Sequence, residues 1–312
     1  MKYAVTGGLG FIGSHLVEKL LKGGHEVLII DNLGSYETEQ RVEGGFIKQL
    51  KRIGNFSILE KDVSKIKDYS IFKGIDTMFH LAALPRVQPS IIDPIKYHNT
   101  NVNGTLNMLI ASVKSDIRRF VFSSSSSVYG EAKKVPTSES SDLVPKSPYA
   151  LHKIIGEQYC QLFESIYDIS TVSLRYFNVY GERQPLSGDY SLVMGVFADQ
   201  IMKSKPLTIN GDGEQKRDFV YVGDVVEANI LSSALENKDV NIFNIGSGTN
   251  CSVNEIADLL DNKLPRINNP PVIEPRETLA DINSAKKVLN WEPKTSLSRW
   301  VKDYKKHLGI NS

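Results

Sequence analysis

Apolar positions in the first half of the chain alternate between two periods. Tyr3-Ala-Val5 forms a short apolar run, and after it Ile12, Leu16, Val17, Leu20 and Leu21 recur at the spacing of one helix face until Gly23-Gly24 ends the pattern. Runs at Val27–Ile30, Phe56–Leu59, Met78–Leu81, Phe120–Phe122 and Val172–Leu174 each predict a buried strand. Stretches near 40–52, 100–115 and 149–167 predict helices between several of them. Near-continuous apolar strands alternating with helices predict an α/β fold whose parallel sheet is covered on both faces. In that doubly wound, Rossmann-type class, ligands gather beyond the carboxyl ends of the strands.

The second half changes character. "RQPLSGDYS", "INGDGEQKRD" and "LPRINNPPVIEPRE" are rich in turn-forming residues, which predicts loops and short elements. A helical Val222–Leu235 and a strand-like Asn241–Ile245 predict a return to the sheet. The expected organisation is therefore discontinuous: a dinucleotide-binding domain from 1–175 and 219–246, and a smaller α/β substrate domain, largely C-terminal, from 176–218 and 247–312. No repeat at solenoid spacing is visible.

Composition narrows the function classes. Of 312 residues, 41% are hydrophobic and 23% charged, and the formal net charge is +1, so any recognition of anions has to be local. This argues against nucleic acid and membrane surfaces as partners. No apolar run is long enough to suggest a membrane span, and "MKYAVTGGLGFIG" lacks the marks of a signal peptide, so a cytoplasmic location is the expectation. Cys160 and Cys251 have no metal-ligand spacing and are expected to be reduced packing residues, and no metal site is expected.

"VTGGLGFIG" follows a predicted strand and opens a predicted helix. Gly7, Gly10 and Gly13 give a Gly-x-x-Gly-x-x-Gly spacing, and Gly8 with Gly10 and Gly13 also gives Gly-x-Gly-x-x-Gly. Glycine lets the backbone approach a pyrophosphate, which the amides and dipole at the helix start then attract. Asp31 ends the second strand, where a carboxylate accepts bonds from adenosine ribose hydroxyls and repels a 2′-phosphate; with no basic residue in the next few positions, NAD is favoured over NADP.

Tyr149 and Lys153, in "SPYALHK", stand at i,i+4 and share one helix face. Alone, the pair reads equally as an amphipathic surface feature. The five serines of "FVFSSSSSVYG" read alone as a linker or as the edge of a site. Together with the glycine loop, these stretches resemble the extended short-chain dehydrogenase/reductase family, the NAD-dependent nucleotide-sugar epimerases and dehydratases. The resemblance also rests on "DN" at 31–32, "KDV" at 61–63, "HLAA" at 80–83, "NVNGT" at 101–105, "RYFNVYG" at 175–181 and "RDFVYVGDV" at 217–225, and so covers nearly the whole chain.

The resemblance implies that Tyr149 is the general base and acid, that Lys153 lowers its pKa and bonds the nicotinamide ribose, and that Ser125 relays the substrate proton. A free tyrosine titrates near 10, so phenolate at neutral pH needs a lowering of about 3 units. By the same resemblance Phe11 and Ile12 lie at the pyrophosphate turn, Asn32 follows the ribose-binding Asp31, and Asp62 and Val63 lie beside the adenine. Leu81, Ala82 and Ala83 line the cofactor, and Thr100 and Phe177 sit near its nicotinamide end. Asn178 and Arg217 match substrate contacts, an arginine fork being suited to a diphosphate.

Dehydratases of the family carry Asp-Glu where this chain has Ser126 and Ser127, so the resemblance implies 4-epimerisation rather than elimination. "RYFNVYGERQ", "INGDGEQKRDF" and the pattern at 186–197 are closer to UDP-N-acetylhexosamine 4-epimerases than to strict UDP-glucose enzymes. By the resemblance, Thr278 occupies the position, three before the Asp of "ADINSA", where a large tyrosine excludes an N-acetyl group in the family; its small size there implies acceptance of UDP-N-acetylglucosamine, with UDP-glucose as a further candidate. The stretch "VIEPRETLAD" is shorter than the family pattern, and Arg276 is there either a second phosphate-binding arginine or an exposed residue. A UDP-uronate 4-epimerase and a catalytically silent NAD-sensing protein remain the alternatives. A homodimer through helices near 95–114 and 149–167 is the implied assembly.

Overall fold

The structure, a computed structural model, describes residues 1–186, 192–236, 241–261, 263–272 and 274–307. Its strands are β1 (Lys2–Thr6), β2 (Glu26–Asp31), β3 (Phe56–Glu60), β4 (Thr77–His80), β5 (Arg119–Ser125), β6 (Ser170–Tyr176), β7 (Asn178–Tyr180), β8 (Leu207–Asn210), β9 (Lys216–Tyr221), β10 (Ile242–Ile245), β11 (Asn250–Ser252) and β12 (Arg266–Asn269). Its α-helices are α1 (Phe11–Lys22), α2 (Tyr36–Glu43), α3 (Phe46–Lys51), α4 (Val87–Ile92), α5 (Pro94–His98), α6 (Gly104–Lys114), α7 (Pro148–Ile166), α8 (Val193–Met202), α9 (Val222–Ser233), α10 (Val253–Leu260), α11 (Asn283–Val288) and α12 (Leu297–His307).

Seven strands form the main sheet in the order β10-β6-β5-β4-β1-β2-β3. β1 pairs in parallel with both β2 and β4, so the strand order reverses at β1, where a doubly wound sheet opens its ligand crevice. The Rossmann-type expectation holds. β1, β2, β4 and β5 are buried along nearly their whole length because helices cover the sheet. β3 departs from the sequence reading: it is the edge strand, and Ser57, Ile58 and Glu60 are exposed. Its apolar run fixed strand type but could not reveal that one flank has no neighbour.

Two predicted helices are also broken up. The stretch 40–52 is divided between α2 and α3 by Gly44 and Gly45, the latter at φ 87, a left-handed angle at which a helix cannot continue. Before α6, residues Asn99–Asn103 wind as a wider π turn that carries Asn101. The Asn101 side chain accepts from the Leu84 amide at 2.8 Å and donates to the Leu84 carbonyl at 2.9 Å.

The chain forms two compact units: Met1–Val128, Pro145–Arg175 and Val226–Phe243 in the first, and Tyr129–Val144, Tyr176–Val225 and Asn244–Ser312 in the second. Segment 129–144, read from sequence as part of the first domain, groups with the second unit, and the return to the first falls inside α9 rather than at 219. The first unit's core includes Met78, Phe120, Phe122, Met108, Cys160 and Phe163. In the second unit, Tyr180, Phe197, Ile256, Leu260 and Trp300 form the core beside the β11-β9-β7 sheet. Asp218 on β9 organises that unit: its carboxylate accepts from Ser247 N and Oγ, Gly248 N and Ala280 N at 2.6–3.1 Å.

Candidate active site

The glycine loop joins β1 to α1. Gly7 has φ 65, and a Cβ there would come within 2.9 Å of the Ala82 amide; one on Gly13 would come within 2.1 Å of the Gly7 carbonyl. Glycine is therefore required by close backbone approach, whatever the loop binds. Gly10 caps α1 without a side-chain bond, which leaves the amides of the first turn, with Phe11 and Ile12, available to an anion.

Asp31 stands at the end of β2. Its carboxylate accepts from Leu9 N at 2.9 Å and Leu33 N at 3.0 Å, while burial pushes its pKa up against these bonds and the Arg41 charge. Arg41 also donates to the Leu9 carbonyl. No arginine or lysine stands in the few residues after Asp31; this cation arrives from the next helix, α2. Asn32 turns back to its own loop, accepting from Gly34 N at 3.0 Å. Asp62 caps the short turn starting at the buried Val63, accepting from Ser64 N and Oγ.

His80, the first residue of the "HLAA" stretch, ties β4 to β1 and to α6. Thr6 Oγ1 lies 2.8 Å from its Nδ1, and its Nε2 lies 3.0 Å from Thr105 Oγ1. Thr105 donates to the Asn101 carbonyl, so its oxygen is left to accept from Nε2, and Nδ1 accepts from Thr6. Thr6 in turn accepts from the Leu81 and Ala82 amides at 3.1 Å each. Burial, followed by the Lys153 charge, pushes His80 down to about 3, so it is a neutral structural link. Leu81 and Ala82 are thereby fixed just past the end of β4, Ala83 follows them half-buried, and Thr100 is half-buried in the π turn.

The predicted chemical group assembles at the end of β5. Ser147 caps α7, Pro148 opens it, and Tyr149 and Lys153 follow on one face. Gly156 lets α7 approach the strand: a Cβ there would collide with the Phe122 ring at 2.3 Å. Burial pushes the Tyr149 phenol up, and the Ser125 hydroxyl and then the Arg86 charge oppose that rise without reversing it. Lys153 is buried, donates to the Ser123 carbonyl at 2.6 Å, and lies 5.8 Å from the Tyr149 ring centre. Burial pushes Lys153 down to about 8, against the charge of Glu157. Glu157, itself buried, accepts from Ser124 Oγ and is gripped by Arg175 through Nε at 2.9 Å and a second nitrogen at 2.7 Å.

Arg86 is the residue that sequence reasoning missed here. It precedes α4 with φ 86 and ψ 145, a backbone state suited to glycine that costs about 1–3 kcal/mol for other residues.

Site residues of the second unit are placed differently. Phe177 is buried and its amide bonds the Ile245 carbonyl. Asn178 donates to the Asp218 carbonyl at 3.3 Å. Arg217 is buried and ion-paired with Glu274 at 2.7 Å. Arg276 is exposed and paired with Asp212 at 2.8 Å. Thr278 is half-buried, its amide donating to the Lys216 carbonyl at 3.0 Å. Residues 187–191, within the 186–197 pattern, lie outside the described residues.

Comparison with known proteins agrees with this geometry. The profile of the NAD dependent epimerase/dehydratase family matches residues 3–246. A putative UDP-glucose 4-epimerase of Methanocaldococcus jannaschii is 38% identical over 304 residues, covering 96% of this chain and 95% of the relative. The structure of a UDP-N-acetylglucosamine 4-epimerase from Methanobrevibacter ruminantium in complex with UDP-N-acetylmuramic acid is 34% identical with a TM-score of 0.89, covering 98% of this chain and 97% of that one. A UDP-glucuronic acid 4-epimerase from Bacillus cereus, solved with UDP-glucuronic acid and NAD, is 33% identical with a TM-score of 0.89, covering 99% and 100%. The glycine cradle and Asp31 fit NAD as cofactor, and the chain belongs to the NAD-dependent epimerase/dehydratase family, as an extended short-chain dehydrogenase/reductase of the nucleotide-sugar epimerase kind.

Proposed function

We propose that the protein is a UDP-hexose 4-epimerase that interconverts UDP-N-acetylglucosamine with UDP-N-acetylgalactosamine, UDP-glucose with UDP-galactose, or both. The observation that carries the reading is the packing of the first turns of α7, which carry Tyr149 and Lys153, on the serine end of β5, where Lys153 donates to the Ser123 carbonyl at 2.6 Å, with serines rather than carboxylates at 126 and 127. Tyr149, through Ser125, takes the proton of the sugar's 4-hydroxyl and later returns it. Neither Ser126 nor Ser127 can serve as a carboxylate acid or base toward C5 and C6, so elimination has no catalyst at those positions.

Bound NAD supplies the hydride acceptor and donor for the C4 carbon. Gly7, Gly10, Phe11, Ile12 and Gly13 hold its pyrophosphate, Asp31 and Asn32 its adenosine ribose, and Asp62 and Val63 its adenine. Leu81, Ala82, Ala83, Thr100, Lys153 and Phe177 hold the remainder. Asn178, Arg217 and Arg276 recognise the sugar nucleotide, and Thr278 leaves room for an N-acetyl group. Epimerisation is redox-neutral overall, so turnover would need no external redox partner.

The test is incubation with a panel of UDP-sugars, without added cofactor, followed by separation of products. Turnover of UDP-N-acetylglucosamine supports the reading, and Thr278→Tyr should abolish it while sparing UDP-glucose. A UDP-uronate substrate is the second reading, favoured by the buried Ser127 Oγ, which has no hydrogen-bond partner and could donate to a carboxylate. Turnover of UDP-glucuronate alone would establish it in place of the first. A silent NAD-binding protein would turn over none of the panel.

A homodimer is part of the proposal. Ile92, Ile95, Leu151, Leu162 and Ile166, on α4, α5 and α7, are 45–84% exposed, an apolar face suited to a second copy of the chain. Solution mass measurement should give twice the monomer mass. A cytoplasmic location is likewise proposed; among the described residues, no helix is long and apolar enough to cross a membrane.

A further inference from the structure

We propose that Arg86 is a second cation of the active site, held beside Tyr149 so that it stabilises the anionic form of the phenol. The proposal rests on the reading of Tyr149 as the proton-transferring group, but it concerns a residue that carries no motif and acts through Tyr149.

The backbone is the first support. Arg86 adopts φ 86 and ψ 145, where a glycine would rest without strain. The loop is clamped into that state from both sides. The Tyr97 hydroxyl donates to the Pro85 carbonyl at 2.6 Å, and the Asn101 side chain both donates to and accepts from Leu84. Ser90 then links the loop to the catalytic helix: its Oγ donates to the Val87 carbonyl at 2.6 Å and accepts from the Tyr149 amide at 3.1 Å. Two hydrogen bonds through one side chain thus tie the residue after Arg86 to Tyr149 itself.

The charges around the phenol supply the second support. Burial raises the pKa of Tyr149, opposed by Ser125 and by the Arg86 charge, and burial lowers that of Arg86, opposed by Tyr149 and Tyr97. Lys153 has its ammonium on the Ser123 carbonyl and is pushed down to about 8, so its charge is lost within reach of neutral pH. An arginine stays protonated there. The other groups that bear on this cluster come from α7, α5 and β5. His152 is pushed down to about 4 by burial, then by His98 and Lys153, and is neutral near pH 7. Tyr97 and His98 belong to α5, Ser125 to β5, and Glu157 raises Lys153 from one turn further along α7. Arg86 thus supplies a permanent charge beside a titratable one.

The test uses the NAD-loaded enzyme without substrate. The absorbance change of phenol ionisation is titrated in the wild type, Arg86→Gly and Arg86→Lys, with Tyr149→Phe subtracted to isolate the one residue. Arg86→Gly should raise the apparent pKa of Tyr149 by about one unit, Arg86→Lys should largely restore it, and the alkaline rise of kcat/KM should move with it. Because glycine relieves the backbone strain, Arg86→Gly should melt no lower than the wild type, which a purely structural arginine would not allow. An unchanged Tyr149 titration in Arg86→Gly overturns the proposal. So does an increase in KM for UDP-glucuronate with no shift in the titration, which would make Arg86 a substrate contact. If instead Tyr149→Phe keeps full turnover, the proposed role of Tyr149 fails, while the titration still reports whether Arg86 acts on the phenol.

Discussion

The two units present their candidate residues in contrasting states. In the first, Ser125 ends β5, Tyr149 and Lys153 lie in the first turns of α7, and the fold holds them: α7 lies close on β5 through Gly156, and Lys153 is anchored on a strand carbonyl. In the second, Arg217 and Arg276 already have carboxylate partners, Glu274 and Asp212. If these three are the catalytic group, as proposed, it is pre-organised, and its energy goes into chemistry rather than ordering. In the proposed substrate role, Arg217 and Arg276 must exchange these partners before they can bind phosphate, so their effects should appear in binding and be smaller. Tyr149→Phe gives the sharpest contrast: turnover should fall by ~10²–10⁴-fold with NAD still bound, as measured by product formation and by cofactor retention on gel filtration. A loss below tenfold would remove the distinction between the units.

Lys153 tests whether pre-organisation has an energetic cost. Its folded-state pKa is about 8, below the ordinary 10.5. Below about pH 8 folded and unfolded chains both hold the proton, and the cost of burying the charge is fully present. Between that pH and 10.5 the unfolded chain binds more protons, so this group makes stability rise with pH. The rise amounts to roughly 3 kcal/mol over the interval. Urea unfolding of the NAD-free protein against pH should show it, and Lys153→Met should flatten it. A variant that follows the wild-type curve would mean that Lys153 is not held in a desolvated site.

The same contrast explains what the sequence disclosed. The glycine loop, Asp31, Tyr149, Lys153 and the serine strand were legible because local spacing fixes them: a strand, a turn and a helix within a few residues dictate where each side chain points. Arg86, Arg41 and the contacts of Asp218 and His80 were not. Arg41 reaches the Asp31 site from a helix that follows a loop, and Asp218 gains its donors from segments at 247–248 and 280. β3 was read as buried because an apolar run gives strand type but says nothing of neighbours. The pairing of Arg217 with Glu274 likewise depends on a distant part of the chain.

Within the second unit, the depth of each ion pair sets the order of effects. Arg217 is largely buried, with a side-chain exposure of 10% against 35% for Glu274. Arg217→Met should raise KM for the UDP-sugar by about tenfold or more with little change in kcat, as expected for loss of one charge-assisted contact. Glu274→Gln should lower KM, since the substrate diphosphate then has no rival for the guanidinium.

Arg276 and Asp212 should give the smallest effect. Both side chains are 59% exposed, and Arg276 holds the Asp212 carboxyl down to about 2. Water and salt already compete for such a pair, so exchanging its partner costs little and gains little. If Arg276 contributes a second contact to the diphosphate, Arg276→Ala should raise KM and Asp212→Asn should lower it, each by no more than about fivefold. Both effects should shrink as ionic strength increases, because the charges are exposed. The opposite signs are the informative part: removal of a merely structural surface pair would move both variants in the same direction. Equal KM values for the wild type and both variants at low salt would leave Arg217 as the arginine of the second unit that binds substrate phosphate.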